Sequence, residues 1–329
     1  NKSQAIVKSN SNNEHLMNFT NCAFYFDNDI FSCYIFETKS SANLVFDHCI
    51  FSKCPIIEIM HKIRSFQFTY NVVNSANNQI IKINYLDYKL NISCNIFKNN
   101  TLIDSNFIKI FHDLNEIELF NNTFSGFSTK ETYSNLYLER NNCLDSNLII
   151  NKCKFINNQN DYRAMGINAP FFFITLKFTN CEFIENICKK GNGGAISVNI
   201  NYNLSLKNCF FKNNKAFHHG GVLAIYKAKK TEIISCIFED NTANYVSSMS
   251  SLMNNLKEDG RGGAIYLYPL IYSTKIEKCK FISNSAFDGY AIYIKNNDEK
   301  SFVINQNIFN GNYDKNTNTS NKGVITSEI

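Results

Sequence analysis

The chain has 329 residues, 44% of them hydrophobic and 19% charged. That apolar content is enough to build a core and excludes global disorder. The net charge of +5 comes from 33 basic and 28 acidic residues with no basic block, which gives no footing for nucleic-acid binding.

Asn fills 53 positions, beside 29 Phe and 17 Tyr, with no Trp and three Pro. AT-rich coding explains part of the Asn content, but not where the Asn residues fall. No apolar run approaches the roughly 20 residues that span a bilayer, so no membrane span is expected in this segment. The longest, from Pro170 to Leu176, is far too short. The chain starts at Asn1, and any leader or anchor is expected outside it.

Residues 1–15 are polar and read as an N-terminal lead-in. A unit then appears at Phe19-Thr20-Asn21-Cys22-Ala23-Phe24 and returns along the chain. Its first positions are Cys22, Cys49, Asn71, Asn95, Asn122, Cys153, Cys181, Cys209, Cys236, Cys279 and Asn307. The spacing clusters near 27 residues, with one long interval between Cys236 and Cys279 that carries a polar insertion at about 245–259. A fixed period of this size marks a repeat architecture, and an insertion in one repeat is expected to be a loop on one face.

Inside each unit the apolar residues alternate, as in Leu176-Lys177-Phe178-Thr179, Leu204-Ser205-Leu206-Lys207 and Ile265-Tyr266-Leu267-Tyr268. Period two with β-branched and aromatic residues is the strand signature. Two or three short strands per 27 residues make one coil of a parallel β-helix, which buries its inward residues only by stacking on its neighbours. The expected fold is all-β: a right-handed, single-stranded parallel β-helix of about eleven coils over residues 16–313, followed by a polar tail at 314–329.

Fixed places in the unit carry fixed residue types. Asn21, Asn180 and Asn208 sit where the alternation breaks parity, which suits a left-handed corner. Asn186, Asn214, Asn241, Asn284 and Asn312 share a second place and are expected to form a hydrogen-bonded ladder from coil to coil. The Phe two residues after each Cys is expected to point inward in a ring stack. Seven cysteines (Cys22, Cys49, Cys153, Cys181, Cys209, Cys236 and Cys279) share one file. Buried free thiols are the favoured reading, and oxidised pairs the competing one. The chain has no Cys-x-x-Cys pair, so no metal ligands are expected. Cys33, Cys54, Cys94, Cys143 and Cys188 fall off the file and are the candidates for solvent-side or irregular pairing. The Gly-Gly pairs read as turns.

Phe-x-x-Asn followed by Gly-Gly-Ala-Ile resembles the repeat of the polymorphic membrane protein (Pmp) family. The matching copies are Phe183 to Asn186 with Gly193 to Ile196, and Phe238 to Asn241 with Gly262 to Ile265. Phe211 to Asn214 with Gly220-Gly221-Val222-Leu223 is near, while the copy at Phe281 carries Gly289-Tyr290 in place of Gly-Gly. The resemblance covers about 40% of the chain. It implies a β-helical, surface-exposed passenger region implicated in adhesion, with host-cell or matrix glycans or proteins as partners.

Three functions follow from these readings: a non-catalytic surface module, a polysaccharide-degrading enzyme of the pectin-lyase-like fold, and a structural spacer. Seven Asn-x-Ser/Thr sites, at Asn1, Asn18, Asn91, Asn99, Asn121, Asn203 and Asn318, fit an extracellular setting but arise easily in an Asn-rich chain. Glycoside cleavage needs paired carboxylates. Only Asp161-Tyr162-Arg163 and Glu258-Asp259-Gly260-Arg261 bring acid and base together, and both are expected to be solvated loop charges. His218-His219 is a possible catalytic or metal pair, but on a strand the two would point to opposite sides. No catalytic, cofactor or metal residue is assigned, and the first function is preferred.

Overall fold

The computed structural model describes residues 4–9, 15–25, 33–38, 42–53, 57–75, 80–102, 108–112, 114, 116–129, 136–140, 146–161, 167–168, 173–199, 203–243, 260–295, 301–314 and 323–328. These residues form an all-β parallel solenoid without helix, and so none of them lies in a helix long and apolar enough to cross a membrane. The chain divides into two compact units, Asn1–Lys154 with Ile167–Phe173, and Phe155–Gly166 with Ile174–Ile329.

In the first unit the Phe register forms five three-residue strands in the order Ala23–Tyr25, Ile50–Ser52, Val72–Asn74, Ile96–Lys98 and Thr123–Ser125. All pair parallel and in register, so Phe24 meets Phe51 and Phe97 meets Phe124. Val73 interrupts the file, and Phe68 from the preceding strand fills the gap, 5.4 Å from Phe51 and 6.1 Å from Phe97.

The second unit repeats the arrangement through Glu182–Ile184, Phe210–Lys212, Ile237–Glu239, Lys280–Ile282 and Ile308–Asn310. Phe183, Phe211, Phe238, Phe281 and Phe309 stack face to face at 4.8–5.0 Å, and the first four are wholly buried. The expected inward file of rings is therefore present. Ile237 and Lys280 pair in register although their coils are separated by the long interval, so the added length leaves the stacking undisturbed. The insertion at 245–259 itself lies outside the described residues.

A second face carries the alternating segments. Leu176, Phe178, Leu204, Leu206, Ile233 and Ile276 point inward and are buried, as period two requires. Leu223–Ile234 and Ile265–Glu277 run unbroken through 12 and 13 residues, bending at a register shift near Ile225 and Lys227. A third face holds two-residue strands such as Ile187–Cys188 and Lys215–Ala216. Counted by the strands on this face, the described residues make about seven full turns, fewer than the eleven expected from the motif count. The difference has a physical basis: this face pairs through strands of only two residues, and the coil of Cys236 contributes a single bridging residue, Thr242, between Lys215 and Ser285.

Strands also form at the two ends. Gln4–Ser9, within the polar lead-in, pairs with Cys33–Thr38, and Ile325–Glu328, within the tail, pairs with Ile292–Lys295.

Two buried files tie coil to coil. Each Asn of the second set accepts the backbone N–H of its counterpart one coil earlier and donates its amide to a carbonyl of that earlier coil. Asn186 N donates to Asn214 Oδ1 at 3.1 Å, and Asn214 Nδ2 donates to Phe183 O at 2.9 Å. Asn214, Asn241, Asn284 and Asn312 continue the pattern. The expected ladder is thus realised.

The cysteine file uses the same scheme. Asn71, Asn95, Asn122 and Asn307 replace Cys in it and bond as the ladder does. At Cys49, Cys153, Cys236 and Cys279 the thiol donates to the matching carbonyl, as Cys49 to Phe19 O and Cys153 to Leu119 O. Sulfur also accepts: Asn122 N donates to Cys153 Sγ and Cys236 N to Cys279 Sγ, both at 3.4 Å. Cys and Asn are therefore interchangeable hydrogen-bonding units at this corner. Cys22, Cys49, Cys94, Cys153, Cys209, Cys236 and Cys279 are free thiols. Cys188, a candidate for solvent-side or irregular pairing, is buried on the third face because its strand alternation turns it inward. Cys94 is half-buried, and Cys54 and Cys143 lie outside the described residues, as does the side chain of Cys33.

Corners are left-handed at Asn21, Asn180 and Asn208, with φ of 55°, 54° and 53°. The same conformation is imposed on Tyr70, Lys152, Ser235 and Lys278, whose side chains do not favour it. Their N–H groups donate to the neighbouring coil, as Tyr70 N to Ser93 O and Lys278 N to Asn305 O, and these bonds hold the strained dihedral. A left-handed conformation costs an ordinary residue about 1–2 kcal/mol.

Two outcomes follow. Lys278→Asn raises the unfolding free energy by about 0.5–1 kcal/mol in a urea titration, because Asn relieves part of that cost. Asn214→Ala lowers it by about 2–4 kcal/mol, because the buried Asn186 N–H and Phe183 carbonyl lose their partners.

Candidate functional site

The second unit carries a cluster on the outside of its long-strand face. Ile265, Leu267, Ile292 and Ile294 point into the core, so alternation turns Tyr266 and Tyr293 outward. Both are nevertheless buried, at 2% and 0% exposure. Their rings lie parallel at 5.5 Å, and His219 stacks on the far side of Tyr266 at 4.5 Å. The Arg261 guanidinium sits 5.0 Å over the Tyr293 ring. Next to this group Tyr226 and Tyr268 lie 5.6 Å apart, half-buried, with the Lys295 ammonium 5.6 Å from the Tyr268 ring.

The turns before the strands bring His219 and Arg261 into place. The first Gly of each pair adopts positive φ, 63° at Gly220 and 69° at Gly262. The second must lack a side chain: a Cβ on Gly221 would lie 2.1 Å from the Gly263 carbonyl oxygen of the next coil. Gly263 in turn faces the Tyr290 carbonyl, and Tyr290 itself stacks on the wider Gly323 turn, where a side chain fits. The Gly-Gly motif is therefore a close-packed turn that stacks coil on coil.

His219 is fixed by two bonds. Its backbone N–H donates to Asn192 Oδ1 at 2.8 Å, and its ring Nδ1 accepts the Arg261 backbone N–H at 3.3 Å, which assigns the Nε2–H tautomer. His218 and His219 lie in a bend rather than on a strand, with ring centroids 6.2 Å apart and tilted by 44°. The strand-based expectation of opposite orientation does not apply to them.

Each of the two acid–base pairs read from the sequence lies only partly within the described residues. Asp161 is bound by Lys190 at 2.6 Å, and Tyr162 and Arg163 lie outside the described residues. Glu258 and Asp259 also lie outside them. Arg261, expected to be solvated, is half-buried over Tyr293 instead. The carboxylate beside the cluster is Asp288, paired by backbone to Arg261, and its Oδ1 accepts the Gly289 N–H at 2.8 Å. Chemically the cluster offers aromatic faces and cations. Sequence reading passed over Tyr266 and Tyr293, whose matching places in successive Gly-Gly strands were the available signal.

The thiol file is the other chemically distinctive group. Burial pushes Cys153 up to about 11. Cys209, Cys236 and Cys279 titrate as linked neighbours: hydrogen bonds from Cys181 and Cys236 pull Cys209 down, while burial pushes Cys236 up. Among the described residues no group of three or more His, Cys, Asp or Glu side chains could hold a metal ion.

Between the ordinary thiol range and 11, native Cys153 holds a proton that the unfolded chain has released, so rising pH favours unfolding there. The unfolding free energy is expected to fall from about pH 8.5 upward. The fall is shallower in Cys153→Asn, which keeps the hydrogen bonds of the file and removes the titrating group. Urea titrations at stepped pH measure both.

No protein-family model, curated protein or solved structure matches this chain.

Proposed function

We propose that this chain is a non-catalytic, extracellular or cell-surface solenoid module that makes adhesive contacts with glycans or proteins of a host cell or matrix. The observation that carries the reading is the outward aromatic group of the second unit, where Tyr226 and Tyr268 present half-exposed rings beside Lys295. Aromatic faces flanked by cations suit sugar rings and protein surfaces alike, and aromatic residues dominate binding energy in known interfaces. The resemblance of the Phe-x-x-Asn and Gly-Gly-Ala-Ile motifs to Pmp repeats supports the same class. In this reading each Cys/Asn-x-Phe register is one coil, eleven in all, wound right-handed as parallel crossovers favour.

Binding of the recombinant chain to cultured cells and to immobilised matrix glycans tests the proposal. Retention by either, reduced at least tenfold in Tyr226→Ala/Tyr268→Ala with folding preserved by circular dichroism, supports it. Equal retention of the wild type and the variant contradicts the assigned surface. Polysaccharide cleavage lost in His218→Ala or Asp259→Ala would establish the enzymatic reading instead.

A further inference from the structure

We propose that the outward aromatic surface of the second unit takes a sulfated polysaccharide, with sugar rings on Tyr226 and Tyr268 and sulfate groups on Lys227, Lys229 and Lys295. This ligand class rests on the reading of the chain as a surface module and narrows it. The fold assembles a cation group that the sequence holds apart. Leu223–Ile234 bends at a register shift between Ile225 and Lys227, and Tyr226-Lys227-Ala228-Lys229-Lys230 follows that bend. Only Ala228 of these five is buried: Tyr226 and Lys227 are half-buried, and Lys229 and Lys230 are exposed. Ile225 pairs with Leu267 and Leu267 with Ile294, so Tyr226, Tyr268 and Lys295 succeed one another across three coils.

Carboxylates do not neutralise this group. Lys230 is tied to Glu232, and Lys275, further along the face, to Glu277, each at 2.9 Å. Lys227, Lys229 and Lys295 have no ion-pair partner among the described residues. The adjoining stretch Tyr268-Pro269-Leu270-Ile271-Tyr272-Ser273 carries no charge at all. Glu328 pairs with Lys295 by backbone, and its side chain lies outside the described residues. Three ammonium groups gathered without counter-charge attract a polyanion.

The rings and the cation type decide which polyanion. Tyr226 and Tyr268 lie 5.6 Å apart and are inclined at 46°. Successive sugar rings of a polysaccharide are likewise set about one ring apart and inclined, and their C–H faces pack on the negative face of an aromatic ring. Coils repeat at about 4.8 Å, so a chain laid along the row meets one side chain per sugar. The cations here are all Lys. A planar carboxylate is best read by the Arg fork, whereas a compact ammonium serves as a point charge for a tetrahedral oxyanion. Bases also stack on aromatic rings, which makes nucleic acid the competing polyanion. In the extracellular setting of a surface module, the abundant polyanion is the sulfated polysaccharide.

The test measures equilibrium binding of the full chain to immobilised dextran sulfate at stepped salt, beside unsulfated dextran, polygalacturonate and single-stranded DNA. The wild type is expected to bind dextran sulfate more tightly than polygalacturonate or DNA, to pass over dextran, and to weaken as salt rises. Lys227→Gln/Lys229→Gln/Lys295→Gln is expected to lose at least tenfold in affinity at physiological salt and to depend less steeply on salt. Lys53→Gln/Lys89→Gln/Lys98→Gln removes the same charge from exposed places in the first unit and is expected to bind as the wild type does. Circular dichroism checks that both variants fold. Equal loss in the two variants overturns the proposal by reducing binding to net charge, and tighter binding to DNA or polygalacturonate overturns it by naming another polyanion. Retention by cells that is lost in Tyr226→Ala/Tyr268→Ala, with no binding of dextran sulfate, overturns the sulfated ligand and leaves the surface module standing. Binding of dextran sulfate that depends on the three lysines, with no retention by cells, supports the ligand and contradicts the adhesive role alone.

Discussion

Every feature of this protein depends on keeping successive coils in register, and the buried Asn files are the interaction that does so. A stack of parallel strands satisfies its main chain in the strands but not at its corners, where the chain turns inward and carries N–H and C=O groups away from water. An unpaired group of this kind costs about 1–3 kcal/mol. The Asn side chain answers both needs at once, since its oxygen accepts the N–H of the coil before and its amide donates to a carbonyl of that coil. The bond geometry tolerates no slip, and a one-residue shift would also turn Phe211 and Phe238 to solvent.

The same constraint explains the cysteines. At the first corner, sulfur and amide make equivalent bonds, so Cys and Asn alternate along one file without disturbing it. A thiol bonds at longer range, 3.3–3.6 Å against 2.7–2.9 Å for the amide to the matching carbonyls, but it brings its own apolar volume. The stacking also dictates the second Gly of each pair, where two backbones approach too closely for a side chain.

Much of this was legible in the sequence because the period is short and the files are chemically uniform. The Phe stack, the Asn ladder and the Gly-Gly turns could be placed by position alone. Other features were not legible. The left-handed corners at Tyr70, Lys152 and Lys278 contradict residue preference, because neighbouring coils impose the dihedral. Two-residue strands on the third face are too short to show a period, so the count of full turns could not be read. Replacement of a Phe by Val73 looks like a break in the core, yet Phe68 reaches across from another face. Tyr266 and Tyr293 obey alternation by pointing outward, and their burial is a tertiary fact, supplied in part by His219 and Arg261 from turns far away in sequence.

Native-state hydrogen exchange at the ladder positions tests the central claim most directly. If buried Asn bonds hold the coils in register, the backbone amides of Asn186, Asn214, Asn241 and Asn284 exchange only through global unfolding, with protection equal to that of the Phe-strand amides around them. Exchange at those four amides on the timescale of exposed turns, while the strands stay protected, would contradict the account.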